Sequence, residues 1–336
     1  MKLYSLKRTS SALAASLLAF GLVASADAQV ILTAADSHTG TAGAPGTPFG
    51  SSGGNGYEAS SSVGSSFIVN GAAFTGGVGG TTTGTNAAVS YQGGNGGDGL
   101  VAATGALGTM ATINSGAFTG GAGGSASGVG LVLTGGFGGD GLLAVGLVNV
   151  YGGTFQGGVS GAVTGTGTLR RGGAGSGVNA NSNGTINIFG GTFIGAGGAV
   201  LPSGQYTFAG NGLEDLGANL NVYGGSFTGG TTGRVGSGLY VGLGTTTLYG
   251  TNFLVNGVPV TSGPVTGDGI ITGTFADNSG SSAFSYTVGS GGSLFIRNAP
   301  PSVPEASTTI SLGLLLVLGS GGVLVAKKRK AVSSPA

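Results

Sequence analysis

The chain has 336 residues, 79 of them glycine and none cysteine, with 6% charged residues and a formal net charge of +1. Without cysteine there is no disulfide or thiolate chemistry, and without a basic patch nucleic acid is excluded as a partner. A mean hydropathy of +0.37 argues against disorder, and collagen is set aside because the glycines follow no three-residue period and proline is scarce.

In chain order, residues 1–28 read as a signal peptide. Lys2, Lys7 and Arg8 form a positive start, residues 12–24 are apolar, and Ala26 and Ala28 place small residues before Gln29, the expected cleavage point. Lys7-Arg8 is not a twin arginine, so the general secretory translocon is the expected route; an uncleaved signal anchor is the alternative. Residues 29–62 are expected to be an irregular N-terminal cap or flexible lead, with His38 alone in a polar stretch.

Residues 63–257 carry a repeat. It aligns on Phe74, Phe118, Phe155, Phe193, Phe227 and Phe253, each preceded at five residues by an aliphatic: Val69, Ile113, Val150, Ile188, Val222 and Leu248. The clearest copies, Val148-Asn149-Val150-Tyr151-Gly152-Gly153-Thr154-Phe155 and Leu220-Asn221-Val222-Tyr223-Gly224-Gly225-Ser226-Phe227, alternate apolar with polar residues and predict a strand. The Gly-Gly then turns a corner into a second short strand that buries the phenylalanine. A second register of polar-Gly-aliphatic precedes each unit: Asp98, Asp140, Ser176, Asn211 and Ser237 open it. Such periods read as a solenoid or propeller. The absence of tryptophan, the short strands and the recurring inward residues favour an all-β, right-handed parallel β-helix, each of the unit's two passes forming one rung. Asn149, Asn187 and Asn221 are expected either to form an amide ladder or to face solvent. Tyr151, Phe189, Tyr223 and Tyr249 should form an outer aromatic stripe, either packing between rungs or stacking on carbohydrate.

The repeat fades beyond Asn256. Residues 258–298 are expected to form a C-terminal β cap of three antiparallel-type strands at 269–275, 283–288 and 293–297, because a solenoid must hide its open end. Residues 299–308 are a linker, 309–326 an uninterrupted apolar run, and 327–336 a basic tail. Eighteen residues at 1.5 Å each span about 27 Å, enough for a transmembrane helix. The cations behind it should stay cytoplasmic and leave the passenger outside.

Val303-Pro304-Glu305, then the apolar run, then Lys327-Lys328-Arg329-Lys330 resembles the PEP-CTERM sorting domain of Gram-negative bacteria, with Ala306 where that family usually has a second proline. The resemblance implies an exosortase-like membrane protease as partner and an inner-membrane-anchored precursor. It further implies delivery to the cell envelope, outer surface or extracellular matrix, in association with exopolysaccharide.

Few residues offer chemistry. Gly93-Gly94-Asn95-Gly96-Gly97-Asp98-Gly99-Leu100-Val101 and Gly135-Gly136-Phe137-Gly138-Gly139-Asp140-Gly141-Leu142-Leu143 match a calcium-binding nonapeptide, making Asp98 and Asp140 weak metal candidates. The copies are too far apart for a shared site, so turn chemistry is the competing reading. Glu214-Asp215 reads as a solvated loop, and Arg170, Arg171 and Arg234 have no carboxylate cluster at a matching repeat position. No catalytic residue or cofactor is assigned. The expectation is a non-enzymatic cell-surface or matrix structural protein. A polysaccharide- or ice-binding adhesin is the main rival, although Thr81–Thr83 and Thr245–Thr247 do not recur at one repeat position. A polysaccharide lyase is the third reading, and it needs Asp and Arg converging in space.

Overall fold

The computed structural model describes residues 30–60, 66–103, 110–181, 184–198, 207–277 and 281–298. The signal peptide with Ala26, Ala28 and Gln29, the sorting motif and the apolar run at 309–326 lie outside them. Among the described residues no helix is long and apolar enough to cross a membrane. Apart from a single 3-10 turn, Ala34–Asp36, these residues form strands and extended segments in one large, parallel-dominated curled sheet and a smaller three-stranded one.

The alternating pattern does what period two requires, sending one set of side chains inward. In the first strand column, Val30–Thr33 pairs with Phe67–Thr75, which pairs with Ala111–Thr119; Leu147–Val150, Thr185–Ile188, Asn219–Val222 and Thr245–Val255 follow, all parallel. Val69, Ile113, Val150, Ile188, Val222 and Leu248 fall on one another in register and are buried. The second column stacks Tyr57–Ser60, Leu100–Ala103, Leu142–Val145, Val178–Asn181, Leu213–Leu216 and Leu239–Val241. Both registers therefore advance by one whole repeat at each step. The unit expected to supply two rungs supplies one, with its two passes placed in different columns.

Phe74, Phe118, Phe155, Phe193 and Phe227 pair in register, and from Phe118 onward their rings stack at 4.8–5.2 Å. Phe253 leaves this ladder. Its strand turns into antiparallel pairing with Asp268–Phe275, and its ring meets Phe275 edge-on at 5.6 Å. Phe275 and Phe284 instead close over Phe227. The Gly-Gly corners form as expected: Gly153, Gly191 and Gly225 have φ of 114°, 123° and 117°, where a Cβ would be strained.

Most of the remaining glycine serves another purpose. The runs 76–80, 120–124 and 157–161 go out, and the runs 93–97, 135–139 and 172–175 come back, with a local period of three. The first glycine of a pair donates along the stack, as Gly76 N–H does to Thr119 O at 2.8 Å. The second donates across to a returning run, as Gly77 N–H does to Gly54 O at 2.7 Å. Gly79 and Gly80 repeat both bonds to Ala122 O and Ser51 O, while Val78 between the pairs points to solvent. Three residues per turn with no bonds inside the segment is the habit of a polyproline II-type chain. The period is local and does not run through the whole chain, because strands interrupt each run. These segments form a core without side chains, in which backbone pairing satisfies the buried N–H and C=O groups.

The two ends differ. Residues 29–62, expected as a cap or lead, contain Val30–Thr33, His38–Thr39 and Tyr57–Ser60, which continue both columns by a full pass. At the other end Asp268–Phe275, Ser281–Val288 and Ser293–Asn298 match the expected strands. Asp268–Phe275 pairs antiparallel with Ser281–Val288, whereas Ser281–Val288 and Ser293–Asn298 extend the columns in parallel.

The smaller sheet, Thr82–Gln92, Ala126–Thr134 and Val163–Arg170, buries Tyr91, Ala126, Leu133 and Val163.

Candidate functional site

The polar residues that open the second register form a ladder. Asp98 N–H donates to Asn55 Oδ1 at 3.0 Å, Asp140 N–H to Asp98 Oδ1 at 2.8 Å, and Ser176 N–H to Asp140 Oδ1 at 2.7 Å. Asn211 N–H continues to Ser176 Oγ at 3.2 Å and Ser237 N–H to Asn211 Oδ1 at 2.9 Å. The position requires a short side-chain acceptor, so Asn, Asp and Ser are interchangeable there. The nonapeptide glycines around Asp98 and Asp140 belong to the glycine runs. Among the described residues no three His, Asp or Glu groups gather to hold a metal ion.

Stacking two carboxylates has an electrostatic consequence. Burial first, and then the charge of Asp98, push Asp140 up to about 7, against hydrogen bonds from Ser176 and Asn179 that pull it down. Asp98 is also raised, by burial. The folded chain thus holds a proton on Asp140 that the unfolded chain releases near 3.8. The stability from that proton is complete below the unfolded value and is lost as pH rises through the folded one. Chemical denaturation should show a more stable protein at about pH 5 than at about pH 8. Asp140→Asn, which keeps the acceptor oxygen, should flatten the difference; an unchanged difference would exclude Asp140 as its source.

Glu214 and Asp215 sit on a strand, not in a solvated loop. Asp215 faces inward and is fully buried. Its Oδ1 accepts Gly217 N–H at 3.2 Å and Ala218 N–H at 2.9 Å, and its Oδ2 accepts the Thr246 hydroxyl at 2.8 Å. Burial raises its pKa and these bonds oppose the rise. Glu214 faces outward and accepts the Ser176 hydroxyl at 2.6 Å. His38 bonds through Nδ1 to Gly56 O at 2.9 Å and stands apart from any carboxylate pair.

Of the two readings left open for the asparagines, the amide ladder is the one that forms: Asn187 Nδ2 donates to Asn149 Oδ1 at 2.8 Å and Asn221 Nδ2 to Asn187 Oδ1 at 3.0 Å. Tyr151, Phe189, Tyr223 and Tyr249 stack face to face at 4.5–5.0 Å. Phe189 and Tyr223 have a ring on each face and Tyr151 and Tyr249 on one, which favours packing between rungs over carbohydrate stacking.

Arg171 and Arg234 line a common groove of about 980 Å³ with Glu214, Tyr240 and Asp268. Two exposed rings, Phe137 and Phe208, lie on the same groove. The sequence signal for them was a bulky apolar residue, Phe137, at the outward position of a glycine run. On the smaller sheet Thr83, Ser127 and Thr164 align in one rank and Thr85, Val129 and Thr166 in the next, although the Thr stretches singled out in the sequence do not align.

No family model, curated protein or solved structure matches this chain.

Proposed function

We propose that this is an exported β-solenoid, a right-handed parallel β-helix, serving as a non-enzymatic structural protein of the cell surface or extracellular matrix. The observation that carries the reading is the pair of in-register ladders, which devote nearly every inward side chain to a repetitive stack. The ends supply the address: a signal peptide for the secretory translocon, and a PEP-CTERM-like tail for an exosortase-like protease at the inner membrane. Exopolysaccharide is the companion material. With a tag placed in the passenger, cell fractionation should recover the protein from the envelope or matrix. Mass spectrometry should find it beginning at Gln29 and ending near Thr308. Recovery from the cytoplasm with both ends intact would overturn the reading, and a left-handed coil in a crystal structure would overturn the architecture.

The threonine ranks favour a second reading, an adhesin for ice or polysaccharide; thermal hysteresis that falls on Thr85→Leu would support its ice form. The lyase reading needs Arg and Asp/Glu groups to converge, and its support is limited to Arg171, Arg234, Glu214 and Asp268 lining one groove. It requires the ultraviolet signal of unsaturated uronate to appear on incubation with polygalacturonate. The structural reading expects none.

A further inference from the structure

Between residues 29 and 298 the only basic side chains are Arg170, Arg171, Arg234 and Arg297, and the groove takes Arg171 and Arg234. Beside them runs an outward column. Backbone bonds from Gly138 to Gly173 O, Ala174 to Phe208 O and Ala209 to Arg234 O place Phe137, Gly173, Phe208 and Arg234 in successive passes. Gly173 has no side chain, so a slot opens between the two phenylalanines. Two strand spacings separate their backbones by about 9.5 Å, and a ring held between two faces at van der Waals contact needs about 7–8 Å. Phe137 and Phe208 are 51% and 63% exposed. The Arg234 guanidinium lies 4.9 Å from the Phe208 ring centre and braces it. The Arg171 Nε is buried without a hydrogen-bond partner, a donor whose desolvation nothing among the described residues offsets.

We propose that this groove binds a carboxylate-bearing pyranosyl polysaccharide, with one sugar ring in the slot over Gly173 and its carboxylate on Arg171. A guanidinium fork matches a carboxylate in geometry as well as charge, and the aromatic walls meet the apolar C–H faces of the ring. Of the acidic neighbours, Glu214 is engaged by the Ser176 hydroxyl, and Asp268 is exposed on the cap side of the groove. The groove is larger than one sugar and open, as a polymer requires.

The test uses the full chain, immobilised, with polygalacturonate and uncharged dextran as probes in a biosensor. Saturable binding of polygalacturonate that weakens with salt, with no binding of dextran, is the expected result. Arg171→Ala should weaken it by about tenfold or more. Gly173→Leu should block the slot: a Cβ there meets only the Phe137 ring at 3.6 Å and Phe208 O at 3.9 Å, so the fold has room for it. Phe137→Ala, at an exposed site, is the second variant should Gly173→Leu fail to fold, and it should also weaken binding. Absence of polygalacturonate binding, equal binding of dextran, or wild-type affinity in folded variants would each overturn the proposal.

Discussion

Gly121→Ala is expected to destabilise the protein by at least about 3 kcal/mol, the upper part of the range for forcing extra atoms into a packed interior. A Cβ at this position would lie against Gly77 O, 2.7 Å from Gly77 C and 2.8 Å from Gly76 O. All three are backbone atoms, so no side chain can rotate away. Gly121 N–H donates to Gly97 O at 2.7 Å, and Gly139 N–H donates to Gly121 O at 2.9 Å. Any shift that relieves the clash therefore loosens bonds to two further passes. Val78→Ala, in a run of the same kind but at the outward position, should change stability by no more than about 0.5 kcal/mol. Urea denaturation of the two variants measures the contrast. Similar losses in both would mean that the glycine runs are not a close-packed core.

Phe155→Ala should cost about 3–5 kcal/mol, the range for emptying a buried aromatic site. Phe155 is 0% exposed and stacks on Phe118 at 4.8 Å and on Phe193 at 5.1 Å. Each stack is worth about 0.5–1.5 kcal/mol beyond area burial, although neighbouring losses do not simply add. The cavity would lie in the middle of the ladder, where strands paired on both sides resist collapse. Phe137→Ala, on the exposed column, should leave stability near wild type. The two melts together separate the inner phenylalanines from the outer ones, and a Phe155→Ala melt as mild as that of Phe137→Ala would remove the ladder as the source of stability.

Much of the fold was legible because its strands repeat. Val150 and Phe155 recur with the same spacing as their partners in adjacent repeats, and in-register pairing follows from identical inward patterns. Phe253 misled because it keeps the local motif while its strand takes up antiparallel pairing from Gly250 onward; local spacing carries no information about which strand arrives alongside. Asp215 misled for a related reason. Charge reads as solvent, yet the next pass brings the Thr246 hydroxyl onto this inward carboxylate, beside the local amides of Gly217 and Ala218.

The groove was the least legible part. Arg171 and Arg234 occupy different places in the repeat, and only the stacking of passes puts them together with Phe137 and Phe208. The slot itself depends on Gly173, one glycine among 79, and it matters only because the residues above and below it in space are aromatic.

By itself the sequence determined the all-β class, the inward residues of both columns, the C-terminal strands and the Gly-Gly corners. These follow from short-range rules: period two for strands and positive φ for corner glycines. Only the tertiary structure decided that both columns advance by one whole repeat at each step, that the glycine runs are a backbone-bonded core, and that arginine and phenylalanine meet in a groove. Each of these depends on which distant segments lie about 4.8 Å apart along the stack, and that adjacency is set by the closure of whole passes rather than by any local residue.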